Sequence, residues 1–164
     1  MKKNKIVLKE GDIKMKDLNC AYCMKDDNPS LYEKFGYRAF DMKTSTVFIF
    51  KEQTKYGRVI VAYKDHVSEM VELSKEERVD FIEDVNAVAT AMHKAFNPDK
   101  INYGAYGDTG GHLHFHLCPK YKGGDEWGGI FQMNTHAYEP SDEVLEEIRQ
   151  KLIAAMDPKF IVNK

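Results

Sequence analysis

The sequence has no apolar stretch long enough to cross a membrane: no unbroken run is longer than that of Val59-Ile60-Val61-Ala62-Tyr63, where a span needs roughly 18 or more residues. The first 17 residues carry six lysines and only Ile6, Val7 and Leu8 in a row. That is too short an apolar core for a secretion signal, so the chain is expected in the cytoplasm. The sequence also lacks an excess of charge of either sign. Its 24 basic and 26 acidic residues leave a net charge of −2, which excludes non-specific binding to nucleic acid polymers; any phosphate handled here must be held by a local site. Cysteine is scarce and odd in number, three in all, which excludes a disulfide framework. Two of the three lie close together in Cys20-Ala21-Tyr22-Cys23, a spacing that points to metal or redox chemistry in a reducing compartment. Internal repeats and low-complexity tracts are missing too.

What the sequence does contain is the material of one globular domain. Its 164 residues are 43% apolar and 12% aromatic, enough for a core without staples. Residues 1–17 read as a polar arm and 18–164 as a single domain. Residues 44–50 (TSTVFIF) and 58–63 (RVIVAY) are rich in β-branched and aromatic side chains and flank Gly57, the pattern of two antiparallel strands. Ser74 and Glu77 form a capping box ahead of Val79, Ile82, Val85, Val88, Ala89, Met92 and Phe96 at helical spacing. Asn97-Pro98 ends this long helix. A strand is expected at 101–105, then a glycine-containing loop at 107–111. Ser141 caps a last helix carrying Val144, Leu145, Ile148, Leu152 and Ile153, with Asp142 and Glu143 favourably placed at its N-terminus. Two helices with these strands predict an α+β fold.

The most informative segment is His112-Leu113-His114-Phe115-His116-Leu117. In a strand its three histidines share one face and its apolar residues share the other, which packs inward. Three imidazoles in a row can attack, donate and accept protons near neutral pH. A merely solvated strand face would collect them only rarely. Two active readings remain: metal binding, as in tris-histidine sites, and nucleophilic attack on phosphorus by the central imidazole. Metal-binding proteins of the first kind are all-β, whereas this chain carries a long capped helix.

The stretch from Gly107 through Asp108, Thr109, Gly110, Gly111 and the alternating histidines to Cys118, Pro119 and Lys120 resembles the signature of the histidine triad (HIT) nucleotide hydrolases and transferases. The likeness covers roughly 18–156. It implies an antiparallel sheet with one long and one C-terminal helix, usually a homodimer, and attack on a nucleotide α-phosphate. It places the nucleophile on His114, with His116 contacting the phosphate. Its other implied substrate-binding residues are Asn102, Gly107, Asp108 and Thr109. The 107–111 loop suits backbone N–H contacts to phosphate, and a plain tight turn explains its glycines equally well. Many members carry glutamine where Asp108 stands and arginine where Lys120 stands, and the loop after Asn102 is shorter than in the dinucleoside-polyphosphate hydrolases, so the substrate is not fixed by the likeness. A carboxylate at Asp108 would repel phosphate unless it turned away, capped the loop or bound a ribose hydroxyl.

In the zinc-bearing branch of that family a Cys-x-x-Cys pair, an upstream histidine and the first triad histidine form one structural site. The resemblance thus assigns Cys20, Cys23, His66 and His112 to zinc, with an empty reduced pair as the alternative. The remaining residues are plainer: His93 on the long helix is expected at its surface or packed, and Cys118 falls on the apolar side of its strand as a small buried hydrophobe. Trp127, Phe131 and His136 follow the triad in a segment that could form a substrate rim, a dimer contact or a loop anchored by one aromatic. Three functions are carried forward: a nucleotide hydrolase or transferase acting through His114, a zinc-stabilised nucleotide-binding protein with little turnover, and a tris-histidine metalloenzyme.

Overall fold

The computed structural model describes residues 16–108, 110–124, 126–133 and 137–164. Thr109, His136 and nearly all of the expected N-terminal arm lie outside the described residues. Five strands form one antiparallel sheet: β1 (Gly36–Asp41), β2 (Ser45–Phe50), β3 (Val59–Tyr63), β4 (Lys100–Gly104) and β5 (His114–Lys120), in the order β1-β2-β3-β5-β4. Two helices, α1 (Lys75–Phe96) and α2 (Asp142–Ala155), pack on each other and on the sheet. The α+β architecture expected from the sequence is thus the one observed.

Local chemistry accounts for most elements. The Ser74 hydroxyl accepts from the Glu77 N–H at 3.2 Å while the Glu77 carboxylate accepts from the Ser74 N–H at 2.8 Å, closing the capping box of α1. Asn97 ends the helix in the left-handed conformation (φ 47°), which asparagine tolerates better than most residues. The buried face of α1 keeps Val85, Val88, Ala89 and Met92 as expected but departs from expectation toward its N-terminal end. Val79 and Ile82 are exposed, and Phe81, Asp84, Val85, Val88, Ala89, Ala91 and Met92 face the core. Asp84 is the reason a charge can lie there: its carboxylate accepts from the Thr44 N–H (2.9 Å), the Thr44 hydroxyl (2.7 Å) and the Ser45 hydroxyl (2.9 Å). These bonds fasten the helix to the β1–β2 turn.

Strand β1 has no clear signal in its sequence GYRAFD, and it is bulged between Arg38 and Phe40. It is held by tertiary partners. Arg149 of α2 donates to the Ala39 carbonyl at 2.8 Å, the Tyr37 hydroxyl donates to Glu146 at 2.8 Å, and Asn163 bridges to Asp41 at the strand's outer edge. Ser141 stands at the N-cap of α2 as expected, but its hydroxyl makes no capping bond to the helix backbone.

Candidate active site

The triad strand starts later than its alternation suggests. His112 lies just outside β5, because Gly111 turns the chain with φ 49° and the Leu113 N–H is taken by the Val67 carbonyl at 2.7 Å. The three imidazoles still face the same way. The apolar side packs inward as expected, with Leu113 and Leu117 buried, but the histidine side is covered as well: His112, His114 and His116 are all buried. Tyr22 from the Cys20–Cys23 segment lies over His112 and His114 at centroid distances of 5.0 and 5.2 Å, and the rings of His114 and His116 are 5.1 Å apart.

The ring nitrogens are individually held. His114 Nδ1 lies 2.7 Å from the carbonyl of His112, so Nδ1 carries the proton and Nε2 keeps its lone pair. Burial lowers the pKa of His114, more than its bond to His112 raises it, which keeps the ring neutral at physiological pH. His116 Nδ1 is 3.2 Å from Nη2 of Arg58. Burial, reinforced by the Arg58 charge and by His114, pushes His116 down to about 2.

His114 and His116 line a cavity of about 800 Å³ together with Tyr22, Phe50, Ile60, Tyr106, Asp108 and Gly110. An adjoining cavity of about 800 Å³ shares Tyr106, Asp108 and His114 and adds Ser68, Met70, Gly107 and His112. Gly107, Asp108, Gly110 and Gly111 thus border these openings, and the Gly111 N–H donates to the Gly107 carbonyl at 2.8 Å. Asp108 is exposed at the rim. Asn102 stands apart: it is in β4 opposite Cys118, lines neither opening, and keeps its buried Oδ1 without a hydrogen-bond partner.

The second cluster joins the N-terminal segment to the triad. Sγ of Cys20 is 3.3 Å from Nδ1 of His112; Sγ of Cys23 is 3.3 Å from Nδ1 of His66 and 3.6 Å from that of His112; the two Nδ1 atoms are 3.4 Å apart. All four donor atoms lie within 4.8 Å of one another and could hold a metal ion. The far side of the His112 ring is fixed, with Nε2 2.7 Å from the Tyr63 carbonyl. That bond puts the proton on Nε2 and frees Nδ1 as a ligand. His66 Nε2 lies 3.9 Å from Asp17. The Cys20 thiol is drawn well below its usual value, first by its hydrogen bond to Cys23 and then by His112, and the same bond pushes Cys23 up.

The plainer residues fall where a bland reading puts them. His93 is exposed on α1. Cys118 is buried, and burial raises its thiol to about 11, which leaves it protonated and inert. Phe131 is buried against Arg58 and Tyr106 and anchors the segment after β5, while Trp127 is exposed. Lys120 is buried and gives its ammonium to the carbonyls of Glu126 and Gly129, so it clamps that segment. Sequence reasoning missed Tyr22, Phe50, Arg58 and Tyr106 as parts of the site. Only the position of Tyr22 between the two cysteines offered a signal.

Residues 39–123 match the HIT domain. The protein named "Protein hit" from Bacillus subtilis (strain 168) is 25% identical over 131 residues, 76% of this chain and 86% of that one. Among solved structures, a histidine triad protein from Sinorhizobium meliloti 1021 superposes with a TM-score of 0.71 at 20% identity, covering 77% of this chain and 94% of its own. A Zn-bound histidine triad family protein from Mycobacterium smegmatis superposes with a TM-score of 0.55 at 16% identity, covering 71% and 84%.

Proposed function

Because the chain belongs to the HIT domain family, we propose that it cleaves a nucleoside phosphate derivative at the α-phosphate through a covalent nucleotidyl-histidine on His114. The observation that carries this reading is the 2.7 Å bond from His114 Nδ1 to the His112 carbonyl. It directs a neutral lone pair from Nε2 of a ring that lines the large cavity. In the first step Nε2 forms a bond to phosphorus while the bond from phosphorus to the leaving group breaks; the leaving group keeps the electron pair and takes up a proton. In the second, water or another acceptor attacks the same phosphorus, gives up a proton, and releases the nucleotide and His114. A dinucleoside polyphosphate and a nucleoside phosphoramidate are the substrate classes this chemistry suits. Gly107 and Asp108 border the openings as substrate contacts, joined by His116.

Zinc is the metal we assign to Cys20, Cys23, His66 and His112. The edges of a tetrahedron with Zn–N bonds near 2.0 Å and Zn–S bonds near 2.3 Å are about 3.3 Å between nitrogens and about 3.5 Å between nitrogen and sulfur. The separations of 3.3 to 3.6 Å fit that figure. Four protein donors close the site, so the ion would supply structure: it would pin the 17–23 segment, and Tyr22 with it, against the triad. Among the described residues no helix is long and apolar enough to cross a membrane, and we place the chain in the cytoplasm, acting as a homodimer. The open edge of β4, with Tyr103 exposed, is the face offered to the second copy, and sedimentation at micromolar concentration tests it.

The experiment for the covalent step is rapid quenching with a nucleoside phosphoramidate followed by intact mass and peptide mapping. One nucleotidyl group on the peptide containing His114 is expected; turnover with no adduct at any time contradicts the route.

A further inference from the structure

Among the described residues Arg58 is the bulkiest wholly buried side chain. It precedes β3, and its guanidinium carbon lies 4.0 Å from the ring centroid of Phe50 and 5.2 Å from that of Phe131. Its polar contacts reach into the site and the segment beside it: Nη2 to His116 Nδ1 at 3.2 Å, Nη1 to the Met133 carbonyl at 2.5 Å, Nη2 to the Met133 sulfur at 3.4 Å, and Glu52 at 3.8 Å. Its Nε is buried without a hydrogen-bond partner. Burying a guanidinium with loose pairing is costly, and an apolar side chain of similar volume serves packing better. The charge is therefore explained by what it touches.

What it touches is the third histidine of the triad. A guanidinium has donors only, so in the Arg58–His116 bond the imidazole must accept through Nδ1. The proton of the neutral ring then sits on Nε2. The neighbouring ring is held the other way round, since His114 gives its Nδ1 proton to the His112 carbonyl and keeps its lone pair on Nε2. Two rings with centroids 5.1 Å apart on the wall of one cavity thus offer a lone pair and an N–H side by side. Phosphoryl transfer needs that combination: a lone pair to attack phosphorus, and a donor for the oxygens on which negative charge collects.

We propose that Arg58 is a positioning residue that locks His116 in its Nε2–H tautomer, making it a hydrogen-bond donor to the phosphoryl oxygens beside the nucleophile. The inference rests on the reaction proposed for His114. Arg58 acts only through His116 and does not itself touch the substrate. Its grip on Met133, with Phe131 over the guanidinium, couples the segment following β5 to the same ring. The titratable or charged groups around His116 are Arg58 at the head of β3, His114 and Cys118 on β5, and Tyr106 and Asp108 on the loop between β4 and β5. Of these, Arg58 is the one bonded to the ring and permanently cationic.

The test is two-bond ¹H–¹⁵N correlation of the histidine rings in the zinc-loaded protein, with the His116 signals identified through His116→Gln. Wild type is expected to show His116 protonated at Nε2 and bare at Nδ1 throughout pH 5 to 8. A His116 ring protonated at Nδ1, an even mixture of tautomers, or a cation in that range overturns the proposal. Arg58→Met, checked for an intact backbone spectrum, should release the ring to a mixture and lower kcat by about 10- to 100-fold, with a smaller change in KM; Arg58→Lys should restore part of both. Should Arg58→Met fail to fold, the wild-type tautomer alone decides. The spectrum requires no substrate, so a locked tautomer in a protein that turns nothing over overturns the reaction and supports the lock. Turnover with a free ring does the reverse.

Discussion

His112 serves His114 and the metal cluster at once: its carbonyl takes the Nδ1 proton of His114 at 2.7 Å, while its own Nδ1 lies 3.3 Å from Cys20 Sγ. The residue that holds the proposed nucleophile thus also belongs to the Cys/His cluster. With zinc bound and His114 reacting as proposed, activity and metal occupancy would be coupled through one backbone carbonyl.

The purified protein is expected to hold one zinc per chain, measured by a chromogenic chelator after thiol modification. Cys23→Ser or exhaustive chelation should lower Tm by about 10 °C or more, because the binding energy of a closed site is folding energy. Retention of wild-type Tm after complete metal removal would show that the four donors do not staple the fold.

Gly104 faces the ring of Tyr106, and a Cβ added there would run into it. Tyr106 lines both openings onto the triad. Gly104→Ala should therefore swing the ring aside and raise KM for the nucleotide several-fold, while kcat and Tm change little. An unchanged KM would mean that Tyr106 does not contact the bound substrate.

Asp84 is a stability residue remote from the chemistry. Asp84→Ala removes the acceptor of three hydrogen bonds and leaves the Thr44 N–H without its partner. A loss of about 3 kcal/mol in urea unfolding is expected, with kcat of the folded fraction preserved. A loss below about 1 kcal/mol would contradict the reading.

The pH dependence of stability carries the signature of His116. Its ordinary value of 6.5 falls to about 2 in the fold, through burial first and then the charge of Arg58. Below about pH 6.5 the unfolded chain binds this proton and the folded chain does not, so stability falls with pH, by about 1.4 kcal/mol per unit from this group. Replacing the ring in His116→Gln removes that contribution. Urea melts at pH 7, 6 and 5 should therefore decline less steeply for the variant than for wild type; parallel declines would contradict the burial of a neutral ring.

The elements that could be read in the sequence are those whose signals are local. The Ser74–Glu77 capping box, the β-branched runs of β2 and β3 and the alternation of His112 to Leu117 each depend on neighbours a few residues away; the first three appear where expected to within one residue, and the triad strand is displaced toward Lys120, starting at His114. Strand β1 depends instead on Arg149, Glu146 and Asn163, more than 100 residues distant, so GYRAFD gave no sign of it. Charged residues are the other blind spot. Asp84 and Arg58 look solvated in a sequence, and only the groups that surround them explain their burial. The same blindness moved the buried stripe of α1, because Asp84 lies on it and Val79 does not. Of the Cys/His cluster only the cysteine pair was legible by its spacing; the histidines came through likeness to a family, since no spacing rule connects Cys20 to a histidine 92 residues later.

Turnover by His114 is decided by one comparison: AMP release from a fluorogenic adenosine phosphoramidate and from diadenosine polyphosphates, with AMP affinity measured alongside, for wild type and His114→Ala. Release by wild type from at least one of these is expected, with at least about 10³-fold slower release by the variant and AMP binding in both. Equal release by the two proteins, or AMP binding by wild type with no turnover of any of these substrates, would contradict it.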